Sequence, residues 1–118
     1  MLKISVVIPV YNVEKYIRRC LESIIGQENS SYTIECLIID DASPDNSMTI
    51  VKEIVTNYHG SAITFRIIRH EVNKGLSEAR NAGIKVSTGD FIFLLILMTN
   101  FLRILLFVFW IITINIHW

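Results

Sequence analysis

The sequence predicts an α/β domain, a mostly parallel sheet with helices on its faces. Three observations predict it. Four short apolar runs, Ile4–Val10, Thr33–Ile39, Ala62–Ile68 and Phe91–Leu95, are rich in β-branched and aromatic residues, as strands are. The segments between them carry apolar residues at three- and four-residue spacing, the period of an amphipathic helix. Strands and helices therefore alternate, which implies βαβ units joined by right-handed crossovers.

Ile4-Ser-Val-Val-Ile-Pro-Val10 is almost wholly apolar, the pattern of a strand covered on both faces. From Val13 to Gln27, Ile17, Cys20, Leu21, Ile24 and Ile25 fall on one side of a helix. Glu14, Lys15, Arg18, Arg19 and Glu22 fall on the other, and Asn12 is the expected cap. Ser30-Ser31 break this pattern, and the second strand, Thr33–Ile39, stops sharply at Asp40-Asp41. A second helix is expected from Ser47 to Tyr58, carrying Met48, Ile50, Val51, Ile54 and Val55, with Asp45 or Ser47 as N-cap. Ala62–Ile68 is the third strand and Glu71–Gly75 a turn. Leu76–Val86 is a third helix whose Ala79, Ala82 and Gly83 leave room for close packing on a sheet. Ser87–Asp90 leads into the fourth strand.

At 118 residues the chain suffices for one small domain. Eleven basic residues balance eleven acidic ones, so there is no long-range positive field to gather nucleic acid, and no nucleic-acid partner is expected. Cys20 and Cys36 stand apart with no CxxC pair, which predicts buried, reduced thiols. The apolar run near the N-terminus is too short for a secretory signal, and the body is expected to be cytoplasmic. The first loop has no GxGxxG, so it lacks the glycine cradle of a dinucleotide site.

In open α/β sheets ligands sit beyond the C-terminal ends of the strands. Those ends carry Pro9-Val10-Tyr11-Asn12 after the first strand and Asp40-Asp41 after the second. Tyr11 offers a face for a base, and a carboxylate can accept a base or ribose donor. Asn73-Lys74-Gly75 could set a cation and a turn over a diphosphate, with Arg80 one helical turn farther on. Taken singly, each of these residues also reads as a cap, a turn or a solvated charge. Together they form one rim.

With these residues in order, the chain resembles family 2 glycosyltransferases. The resemblance rests on four blocks over about residues 3–95: VVIPVYN, YIRRCLESIIGQ, LIIDDASPDNS, and NKGLSEARNAGIKVSTGDFIFLL. It implies the GT-A fold, with its Rossmann-like nucleotide-binding half, and transfer of a sugar from a nucleotide diphosphate, a UDP-sugar first among donors, to a glycan or lipid acceptor. By motif position it implies that Pro9, Tyr11 and Asn12 line the base pocket. Asp41 would bind base or ribose with Asp40 in support, and Lys74, Gly75 and Arg80 would lie near the ribose and diphosphate. Glu14 matches a frequent family acid.

The resemblance also implies a divalent cation, Mg or Mn, held by an Asp-x-Asp cluster directly after the fourth strand. This sequence has Ile96-Leu97-Met98-Thr99 there, none of them a ligand for a hard cation. The expectation is a truncated chain without turnover, residues 1–95 being the nucleotide-sugar-binding part and residues 96–118 an apolar tail. Ile-Leu-Met-Thr-Asn can be written ATT CTG ATG ACG AAT, and one preceding G converts this to codons for Asp-Ser-Asp-Asp-Glu. A one-base frame loss between Leu95 and Ile96 would thus account for the tail. Sequencing the gene across this point tests it, and the absence of any single-base change that restores an acidic cluster would refute it. The alternatives are a non-catalytic nucleotide-binding module, or a membrane-attached protein with a genuine apolar helix over 91–116, since about 20 apolar residues span a bilayer. Unpacked, that stretch would lower solubility.

Overall fold

The computed structural model describes the backbone of residues 1–100 and 103–112 and the side chains of residues 1–97. The alternation in the sequence becomes β1 (Leu2–Val10), α1 (Ile17–Ile25), β2 (Tyr32–Asp40), α2 (Ser47–Asn57), β3 (Ile63–Arg69), α3 (Leu76–Val86), β4 (Phe91–Asn100) and β5 (Arg103–Ile112). The sheet order is β3-β2-β1-β4-β5. The first four strands are mutually parallel and β5 is antiparallel to β4.

Successive residues of β1 point to opposite faces, so one apolar run feeds two cores. On one face Val6, Ile8 and Val10 pack with Ile17, Leu21 and Ile24 of α1 and Val51 and Ile54 of α2. On the other, Val7, Leu37, Ile39, Ile92 and Leu94 pack beneath Ala79 of α3. The small residues of α3 have the expected purpose: a Cβ added at Gly83 would overlap Val7 Cγ1. β3 has exposed residues along much of its length, as suits an edge strand.

Two expectations need correction. Asn12 does not cap the first helix, because α1 begins only at Ile17, after a turn in which Tyr16 and Ile17 N–H groups donate to Val13 O. The Asn12, Val13 and Glu14 amides are drawn instead to side chains of the β2–α2 loop. The apolar helix considered over 91–116 is also not what the described residues form. Phe91–Asn100 and Arg103–Ile112 are paired strands, so their backbone groups are satisfied by a ladder suited to β-branched and aromatic side chains. Residues 101–102 and 113–118 lie outside the described residues. Among the described residues no helix is long and apolar enough to cross a membrane.

Candidate functional site

The chain moves from β1 outward through β2 to β3, then returns to place β4 on the other side of β1. Strand order therefore reverses between β1 and β4, the place where open sheets bind ligands. Parallel pairing of these two strands covers only Ile4–Val7 against Phe91–Leu94, so the end of β1 is free on that side. Pro9 fits this geometry. Val10 O accepts the Asp41 N–H on the β2 side, so by alternation Pro9, which has no N–H to give, faces the side where pairing has ended.

Beyond β1, its loop to α1 is stitched to the β2–α2 loop. The Asn12 N–H donates to Ser43 Oγ at 3.0 Å, the Val13 N–H to Ser47 Oγ at 3.1 Å and the Glu14 N–H to Asp45 Oδ2 at 3.1 Å. In return the Asn46 N–H donates to Glu14 Oε2 at 3.2 Å. Asp45 Oδ1 also accepts the Ser47 N–H at 3.0 Å, but the N-cap of α2 is Asn46, without a side-chain cap, and not the expected Asp45 or Ser47. Asn12 and Ala42 have φ of 54° and 56°, left-handed values that non-glycine residues adopt at some cost and that cluster at functional sites. Burial alone would raise the Asp45 pKa, but hydrogen bonds from Ser43, Ser47 and the Glu14 amide outweigh it and hold the carboxyl below its ordinary value.

The densest polar cluster lies at the end of β2. Asp41 is only 2% exposed, and its Oδ1 meets His70 Nδ1 at 2.9 Å and the Lys74 N–H at 2.9 Å. Its Oδ2 accepts from Asn73 Nδ2 at 3.0 Å and from the Gly75 N–H at 2.9 Å. Burial by itself would push the Asp41 carboxyl up, yet the His70 hydrogen bond and the Lys74 and Gly75 amides more than offset this and lower its pKa. The β3–α3 turn is thus wrapped around one ionised carboxylate. Gly75, at φ +93°, supplies the backbone bend that brings its N–H to that carboxylate just before α3 begins.

These contacts bring most of the residues singled out in the sequence to one rim. Tyr11 is 44% exposed there, Asn12 is exposed, and Glu14 and Asp40 are half-buried. Asp40 Oδ1 accepts the Ser43 N–H at 3.0 Å. Lys74 is exposed and Gly75 half-buried on the turn that Asp41 holds. Arg80 is half-buried one turn into α3, its Nε donating to Asn81 Oδ1 at 3.3 Å. Pro9 is buried within β1, so it shapes the rim from beneath. Sequence reasoning missed His70 and Ser43. The run Asp-Asp-Ala-Ser-Pro-Asp-Asn-Ser is a signal for side-chain-closed turns that could have found Ser43. A histidine after an edge strand gives no such signal.

The described side chains do not fit a hard divalent cation. Among the described residues no three His, Cys, Asp or Glu side chains gather to hold a metal, and Ile96 and Leu97, which follow Leu95, are hydrocarbon within β4. An apolar groove of about 580 Å³ lies away from the rim, between α1 and the β1–β4 part of the sheet. Its lining has none of the rim's convergent polar groups.

The family described as Glycosyl transferase family 2 matches residues 5–95. The uncharacterized glycosyltransferase EpsJ of Bacillus subtilis (strain 168) is 39% identical over 89 residues, 75% of this chain and 24% of that protein. S. aureus TarS 1-349, crystallised in complex with UDP-GlcNAc, shares 30% identity at a TM-score of 0.69, over 80% of this chain and 26% of that one. The mannosyltransferase PcManGT from Pyrobaculum calidifontis, in complex with GDP-Man and Mn2+, has the same fold, with a TM-score of 0.70 at 20% identity over 79% of this chain and 26% of that one. The chain spans about a quarter of the length of these proteins. Four sequence blocks, a parallel sheet with its switch point at β1 and the match over residues 5–95 lead to one conclusion: the chain belongs to glycosyl transferase family 2.

Proposed function

We propose that residues 1–95 form the nucleotide-sugar-binding half of a sugar transferase, taking a UDP-sugar at the rim between β1 and β4. The observation that carries this reading is the convergence there of an exposed aromatic ring, Tyr11, with the acid-rich β2 end and the Lys74 turn, all on loops hydrogen-bonded to one another. Tyr11 would stack on the base above Pro9, with Asn12 and Glu14 framing its loop. Asp40 and Asp41 would accept base or ribose donors, and Lys74, Gly75 and Arg80 would lie toward the diphosphate. The UDP-GlcNAc complex of TarS, at 30% identity, supports the donor class. In proteins of the relatives' full length this half would serve transfer to a glycan or lipid acceptor.

This chain by itself would hold nucleotide without turning it over. Where the family motif calls for cation-binding carboxylates, directly after Leu95, this sequence has Ile96 and Leu97, which give Mg or Mn nothing to bind. The same reading places the chain in the cytoplasm. Any membrane contact through the apolar stretch 91–116 would be made by strand edges and not by a spanning helix, and membrane fractionation tests it. Calorimetry with UDP, with and without Mn2+, tests the main reading. Weak binding that Mn2+ leaves nearly unchanged is expected. No binding at all refutes the donor site, and binding that requires Mn2+ refutes the metal-free half-site.

A further inference from the structure

Among the described residues, His70 is the one partner of Asp41 that comes from neither the backbone nor the turn Asn73–Gly75, and its side chain is 11% exposed beside an Asp41 side chain that is 3% exposed. The Asp41 carboxyl is held ionised, so its Oδ1 can only accept, and His70 must present Nδ1–H toward it. The His70 backbone is fixed as well, because its N–H donates to Asp40 O at 2.8 Å and extends the β2–β3 ladder past Arg69. The ring therefore leaves β3 from a rigid base and locks one carboxylate oxygen. The same oxygen accepts the Lys74 N–H, and its sister accepts the Gly75 N–H.

We propose that His70 is a positioning residue for nucleotide binding: it fixes the Asp41 carboxylate, which in turn sets the turn that carries Lys74 and starts α3 below Arg80. This rests on the donor-site reading given above. His70 acts through Asp41 and need not touch the nucleotide. Without the ring donor, a carboxylate that is almost entirely buried loses the side-chain partner that follows β3 and can rotate, releasing the two amides together. Lys74 then samples several positions, and a nucleotide must order it on binding.

The test uses the full chain, UDP as probe, and two variants. His70→Leu removes the donor, while His70→Asn returns an N–H close to the place of Nδ1. His70→Leu should lower UDP affinity by about tenfold and erase hydrogen-exchange protection of the Lys74 and Gly75 amides, while β2 amides stay protected. His70→Asn should return both to within about threefold of wild type. Unchanged UDP affinity in a folded His70→Leu chain overturns the proposal. If that variant does not fold, the wild-type ring decides: an imidazole proton on Nδ1, seen by nitrogen NMR at neutral pH, supports the proposal, and a proton on Nε2 alone overturns it. Failure of the wild-type chain to bind UDP is visible before any variant is made and overturns the donor-site reading itself.

Discussion

β2 carries a half-buried or buried carboxylate near each end, and the two hold opposite ends of the same helix in different ways. Near its start, Glu35 accepts Ser5 Oγ at 2.7 Å and the Thr88 N–H at 2.9 Å, and so fastens the exit of α3; Lys3 Nζ lies 3.7 Å away. Just beyond its end, Asp41 gathers four N–H groups of the segment that enters α3. Glu35 is tied by two hydroxyls, one backbone amide and an exposed lysine. Asp41 is tied by two backbone amides, the Asn73 side-chain amide and the His70 ring. The carboxylate near the start of β2 is thus half-buried and held in part by an exposed charge, and the one just beyond its end is almost fully buried and held by N–H groups alone.

Five measurements can break or sharpen this contrast. The largest effect is expected from Asp41→Ala, which strands buried donors and should cost about 3 kcal/mol in urea unfolding, against about 1 kcal/mol for Glu35→Ala. Equal costs would abolish the contrast. The same pair sets the acid response. Both carboxyls have pKa values below their ordinary ones: in each, burial acts upward but is outweighed by hydrogen bonds, from Thr88 and Ser5 for Glu35 and from His70, Lys74 and Gly75 for Asp41. Their stabilisation is therefore complete above the ordinary carboxylate range near about pH 4 and is lost as pH falls through the lowered values. Wild-type stability should drop below that pH, and the drop should be shallower in Asp41→Ala.

Gly83→Ala probes the middle of the helix that both carboxylates hold by its ends. Its new Cβ would overlap Val7, and overpacking of this kind typically costs about 2 kcal/mol. Gly75→Ala meets no neighbouring atom within 4 Å and carries only the strain of φ +93°, about 1 kcal/mol. It should weaken UDP binding more than it weakens folding, because it moves the turn and not the core. Lys3→Met is the smallest. A pair whose lysine is exposed and lies 3.7 Å from the carboxylate should contribute under about 0.5 kcal/mol, less at high salt, and a larger value would mean that this end is anchored by charge after all.

Most of the fold was legible along the chain. β-branched runs and helical spacing marked four parallel strands and three helices, and the bounds of α3, Leu76–Val86, match because its small residues and flanking Gly75 and Ser87 are local signals. The errors came where long-range hydrogen bonds overrode local preference. Asn12 reads as a helix cap, yet its amide is taken by Ser43, 31 residues away. The apolar run after Phe91 reads equally as helix or strand from hydropathy, and pairing decides for strand.

The sequence by itself determined the fold class, the family and the residues that meet at one rim, because periodicity, strand ends and turn chemistry are written within a few residues of each other. Only the tertiary structure decided the burial and the hydrogen-bond partners of those residues. Asp40 and Asp41 are neighbours in the chain and differ in burial and partners, Asp40 being the last residue of β2 and Asp41 lying just beyond it. His70 entered the site for the same kind of reason: the parallel register of β3 on β2 carries it to Asp41, 29 residues earlier, a meeting that no local pattern encodes.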